Sequence, residues 1–100
     1  MRAAAFILST AVFLSAGIGG AAAQERDAAI LANACMSCHG VDGKSQGVIP
    51  ALAGQDAREM AQLMKDYASG AVKGTAMNFI AKGYTLDQID AIAAFFSARK

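Results

Sequence analysis

Cys35-Met36-Ser37-Cys38-His39 decides the reading of this 100-residue chain. Two thiols separated by two residues stand about one helical turn apart, so each can add to one vinyl group of a haem. The imidazole that follows directly is then held beneath the iron as the proximal ligand. The spacing C-x-x-C-H is the attachment signature of a c-type haem. A bare C-x-x-C is shared with redox disulfides and zinc sites, and the adjoining histidine separates the cases. His39 is the only histidine, and Cys35 and Cys38 are the only cysteines. The motif predicts one haem c, covalent through Cys35 and Cys38, with His39 as a metal ligand.

Upstream of the motif, Arg2 precedes an apolar run from Ala3 to Leu14 that includes Phe6, Ile7, Leu8, Val12, Phe13 and Leu14. Small residues follow and end in Ala21-Ala22-Ala23. A positive start, an apolar centre and an A-x-A site together read as a secretory signal. The expectation is a cleaved signal peptide over residues 1–23, a single domain over residues 24–100, and a periplasmic location without a stable membrane anchor once the signal is removed. The alternative is an uncleaved anchor, for which the apolar stretch is borderline against the roughly 20 residues a bilayer needs. Export suits the chemistry, because c-type haem is attached outside the cytoplasm. Exported cysteines also pair with one another, so location alone does not dismiss a disulfide.

The hydrophobic content of 55% is inflated by the leader. Removing Arg2 from the nine basic residues leaves eight, against eight acidic residues that all lie after Ala23. A neutral chain with no basic stripe excludes a nucleic-acid partner of the usual kind and leaves little long-range steering. A domain of this size is marginal for a protein-only core. A buried porphyrin would supply the missing apolar surface.

The pattern after the leader is helix, loop, helix, loop, helix, with no alternating strand signal. The first helix is expected from about Asp27 into the motif, with Ile30, Leu31 and Ala34 sharing a face, and Gly40 stopping it. Val41 to Ala53 reads as a loop punctuated by Gly43, Gly47, Pro50 and Gly54. A second helix spans Asp56 to Ser69, with Met60, Leu63, Met64 and Tyr67 at i, i+3, i+4 and i+7, and Gly70 ends it. A loop from Ala71 to about Asn78 leads into a short helical turn to Lys82. Thr85 and Gln88 form the T-x-x-Q of a capping box, opening a last helix whose apolar face carries Leu86, Ile89, Ile92, Ala93 and Phe96.

A haem iron that only moves electrons usually takes a sixth ligand, and no second histidine exists. Met36 lies inside the motif and has the wrong geometry. Met60 and Met64 sit on the apolar stripe of the second helix and read as core packing. Met77 lies between two helices, in a flexible stretch that can carry its thioether to the distal side, and is the expected ligand. A thioether donor favours Fe(II) and raises the reduction potential. The haem-free chain is expected to hold an apolar pocket between His39 and Met77, with the motif sulfurs on its wall.

The chain after Gln24 resembles a class I cytochrome c, and within that class the haem subunits of flavocytochrome c sulfide dehydrogenases and, more loosely, the halves of dihaem cytochromes c4. The likeness is carried by Cys35-Met36-Ser37-Cys38-His39-Gly40, Asp42-Gly43-Lys44-Ser45-Gln46-Gly47, Ile49-Pro50-Ala51-Leu52-Ala53-Gly54-Gln55 and Met77-Asn78-Phe79-Ile80-Ala81-Lys82-Gly83-Tyr84. It implies an all-α fold with three main helices around one covalently attached haem. It further implies that Pro50 offers its carbonyl to His39 Nδ1–H and that Leu52 packs on the porphyrin. Tyr67 and Tyr84 line the pocket, reach the propionates or pack in the core. The chain departs from the class where the first helix crosses the last: in place of a glycine and an aromatic stand Asp27, Ala28, Leu31 and Ala32, with Phe95 or Phe96 opposing.

The resemblance implies an electron-transfer protein rather than an enzyme. One reading is a subunit that accepts electrons from an exported flavoprotein oxidising sulfide, since nothing in this chain binds flavin. The other is a free periplasmic carrier serving other dehydrogenases or a terminal oxidase. A ligand-binding or peroxidatic haem protein would need the distal site open, which a Met77 ligand closes.

Overall fold

The computed structural model describes residues 3–5, 7, 9–12 and 19–100. Arg2, Phe6, Leu8, Phe13 and Leu14, on which the leader reading rests, lie outside the described residues. Among the described residues there is no strand, and no helix is long and apolar enough to cross a membrane. The order is α1 (Gly19–His39), a 3-10 turn (Val41–Gly43), α2 (Ala57–Ser69), α3 (Met77–Ala81) and α4 (Leu86–Ser97).

The first helix begins at Gly19, well before the expected Asp27. Ala21, Ala22 and Ala23 are strong helix formers and no breaker separates them from Gln24. Its stop is where the sequence placed it, at Gly40 with φ 86°. A Cβ there would meet Ser45 N at 2.8 Å, so only glycine allows the chain to fold back this closely.

The two longer helices that follow, α2 and α4, start on side-chain caps. Asp56 Oδ1 accepts from Arg58 N–H at 2.9 Å and Glu59 N–H at 3.0 Å. Thr85 Oγ1 accepts from Gln88 N–H at 3.2 Å, and Gln88 Oε1 accepts from Thr85 N–H at 2.9 Å. Each cap contributes about 1 kcal/mol. Gly70, in the left-handed region, closes α2.

The core is small. Ala32 of α1, Met60, Ala61 and Met64 of α2, and Ile89, Ile92, Ala93 and Phe96 of α4 form one cluster. Burying Phe96, Ile89 and Ile92 is worth about 1.5–3 kcal/mol each. Where α1 crosses α4, Ala28 and Ala32 are the buried residues and Phe96 is the buried bulk. Phe95 stays partly exposed, meets Phe96 edge-on at 5.2 Å, and carries the Arg99 guanidinium 3.8 Å above its ring. Four residues given to apolar faces are on the outside: Ile30, Ala34, Leu63 and Leu86. The small core leaves no neighbour to cover these positions. Lys65 and Asp90 join α2 to α4 at 2.9 Å, an exposed pair worth about 0–1 kcal/mol.

Candidate functional site

The last turns of α1 carry Cys35, Cys38 and His39. Both cysteines are free thiols. Cys35 is half-buried and packs on the core with Met36, whereas Cys38 is exposed. Burial pushes the Cys35 thiol up, and a hydrogen bond to its own backbone opposes this more weakly. Tyr84 is also pushed up, first by burial and then by the charge of a neighbouring Cys35 thiolate. Tyr84, in the turn before α4, and Cys35 pack against the same core cluster.

His39 Nδ1 lies 2.6 Å from the Pro50 carbonyl oxygen. With Nδ1–H donating, the lone pair stays on Nε2, the atom that can bind a metal. The loop between these residues is built to hold that contact. Ser45 N–H donates to His39 O at 2.8 Å, and Ser45 Oγ donates to Ile49 O. Gly43 O accepts from Leu52 N–H at 2.7 Å and Ala53 N–H at 3.0 Å. Gln55 Nε2 donates to Ala51 O. The sequence alone assigns Ser45 and Gln55 no positioning role. A serine flanked by Gly43 and Gly47 is a turn former, so Ser45 at least had a signal.

Met77 opens α3 as its first residue rather than lying in the preceding loop. It is half-buried against the core, as are Leu52 and Tyr84. Met60 and Met64 are buried within the core. A groove of about 520 Å³ adjoins the motif and is lined by Cys38, Met36, Val41, Val48 and Ile49 among others. It takes in one motif sulfur and neither His39 nor Met77, so it is not the pocket expected between those two residues. Large apolar side chains stand uncovered on both sides, Val48 and Ile49 on the loop after the motif and Phe79 and Ile80 on α3. Among the described residues no three His, Cys, Asp or Glu side chains come together. The zinc reading of C-x-x-C therefore has no completed ligand set here. The two free thiols, the imidazole with Nδ1 engaged, the half-buried thioether and the bare apolar surface fit a covalently held porphyrin.

Comparison with known proteins agrees with this chemistry. The cytochrome c family profile matches residues 25–99. The chain is 39% identical over 67 residues to the cytochrome subunit of sulfide dehydrogenase of Chlorobaculum tepidum, covering 67% of this chain and 61% of that one. It is 33% identical to cytochrome c-553 of Nitratidesulfovibrio vulgaris, over 97% of this chain and 98% of that one. A solved cytochrome c4 of Acidithiobacillus ferrooxidans superposes with a TM-score of 0.68 at 35% identity, over 77% of this chain and 50% of that structure. The chain thus spans about three-fifths of the sulfide dehydrogenase subunit and half of the cytochrome c4.

Proposed function

The chain belongs to the cytochrome c family, and from that premise we propose that it is an exported one-haem electron carrier that delivers no chemistry of its own. Family membership brings haem c, and the two cysteines at C-x-x-C-H spacing are its attachment points. Bound haem supplies a one-electron Fe(III)/Fe(II) couple. In this reading Cys35 and Cys38 hold the porphyrin, His39 Nε2 is the proximal ligand and the Met77 thioether the distal one. Leu52 packs on the ring. Pro50 orients His39 and raises its donor strength through the bond to Nδ1. The contact between His39 and Pro50, 2.6 Å long, carries this assignment.

The partner in this reading is a redox protein, an exported flavoprotein that oxidises sulfide. Likeness to a cytochrome subunit of sulfide dehydrogenase supports it. A second reading, the free carrier, has its own support in the end-to-end match to a cytochrome c-553. Residues 1–23 are then the signal that sends the chain to the periplasm.

Gel filtration of the native extract tests the choice. Haem c eluting with a flavin-containing protein, at low and high salt, is the expected result. Haem c eluting only as a particle of about 10 kDa under both conditions would remove the subunit reading and leave the free carrier.

A further inference from the structure

We propose that Asn78 is a positioning residue: its carboxamide ties the loop of residues 70–76 to the last turn of α2 and so holds the Met77 thioether in place. The proposal rests on the reading of Met77 as the sixth ligand.

Asn78 follows Met77 directly and is half-buried. Its Nδ2 carries two hydrogens and donates one to Tyr67 O at 2.9 Å and the other to Val72 O at 2.7 Å. Its Oδ1 accepts from Gly74 N–H at 2.7 Å. The partners define the orientation of the amide. Exchanging oxygen and nitrogen would face an acceptor with two carbonyl oxygens and a donor with an N–H. Tyr67 O belongs to the end of α2, where helix carbonyls run out of intrahelical partners, and it also accepts from Gly70 N–H at 3.2 Å. One side chain therefore joins the start, the middle and the end of the loop.

Among the described residues no other hydrogen bond reaches residues 73–76 from α2. Ala76 gives α3 no side-chain cap, and a helix of five residues has no stability of its own. Besides the Asn78 bonds, Val72 N–H reaches back to Asp66 O at 3.2 Å and Ala71 N–H to Ser69 Oγ at 3.3 Å, and these fix only the first part of the loop. An exogenous ligand reaches the distal site only when Met77 leaves it. The rate of that departure is a local opening, governed by the bonds that hold this segment.

The test uses the ferric, haem-loaded protein and reads cyanide binding at saturating cyanide together with the far-red methionine band. Asn78→Ala removes all three bonds. Asn78→Asp keeps the shape and the acceptor for Gly74 but loses both donors. Asn78→Asp is expected to bind cyanide about tenfold faster, the effect of its two lost hydrogen bonds on the opening, and Asn78→Ala, which loses three, at least as fast. Amide exchange at Gly74 should accelerate with it. Asp56→Ala is the control, since it removes the α2 cap and lowers stability away from Met77. It should leave cyanide kinetics at the wild-type rate. If Asn78→Ala fails to take up haem, Asn78→Ser carries the same test. Wild-type cyanide kinetics in the Asn78 variants would overturn the proposal, and so would equal acceleration by Asp56→Ala. A methionine band that survives Met77→Ala would instead remove the ligand reading itself.

Discussion

His39 Nδ1 and the Pro50 carbonyl oxygen meet at 2.6 Å across a loop pinned by Gly43 and Ser45. The contact exists in the polypeptide itself, so the imidazole is oriented by the chain. In the haem-free protein at alkaline pH, nitrogen-15 spectra should find the proton on Nδ1 and the lone pair on Nε2. A predominant Nε2–H tautomer would contradict the geometry.

The two thiols should differ in reactivity before haem is attached. Thiolate is the reacting form. Cys35 is held up by burial, so its thiolate appears only at higher pH and its sulfur is less accessible. Iodoacetamide is expected to label Cys38 first, with Cys35 catching up as the pH is raised. Peptide mass mapping over a pH series checks the order.

The three candidate methionines should separate by spectrum. Met77→Ala opens the distal position, lowers the potential and admits cyanide and CO. Met60→Leu and Met64→Leu conserve volume within the core, cost less than about 1.5 kcal/mol and should leave the haem spectrum unchanged. Loss of the methionine band in either leucine variant, with retention in Met77→Ala, would reverse the assignment.

Gly43→Ala should destabilise the domain by about 2–3 kcal/mol. Gly43 has φ 70°, and a Cβ there would lie 2.6 Å from Phe96 Cδ1 and 3.0 Å from Leu52 Cβ. A lower denaturant midpoint is the expected readout. A wild-type midpoint would mean that the Pro50 loop is not seated on Phe96.

Val48→Asp probes docking without touching the fold. Val48 is fully exposed, so the change should alter stability by no more than about 0.5 kcal/mol. A partner that docks on the apolar loop surface should bind more weakly, and the effect should persist at high salt, because screening acts on charges and not on apolar contact. Unchanged binding would exclude this surface.

Contiguous and periodic signals were the legible ones. The C-x-x-C-H run, the T-x-x-Q box at Thr85 and Gln88, and the glycine stops at Gly40 and Gly70 each depend on neighbours in sequence. The capping bonds and the positive φ angles are all present. The carbonyl of Pro50 has no sequence signature, since any loop residue has one, and it entered only through family likeness. Asn78 left no trace in periodicity because its partners are backbone atoms, which every residue carries. Ile30, Ala34, Leu63 and Leu86 misled for the opposite reason: the period of a helix reports a face, and the width of that face is set by what packs against it.

The early start of α1 bears on the timing of maturation. A peptidase reads its substrate as an extended strand, whereas Ala21-Ala22-Ala23 lie inside a helix. If residues 1–23 are a signal that is removed, the cut after Ala23 has to precede the winding of this turn or await its fraying. Such a cut would also change the charges at the start of the helix. Begun at Gly19, α1 has no acidic residue in its first turn. Begun at Gln24, it has Glu25 and Asp27 there, where negative charge complements the positive end of the helix dipole. Those two carboxylates would then offset the α-ammonium group that such a cut leaves at the positive end of the helix.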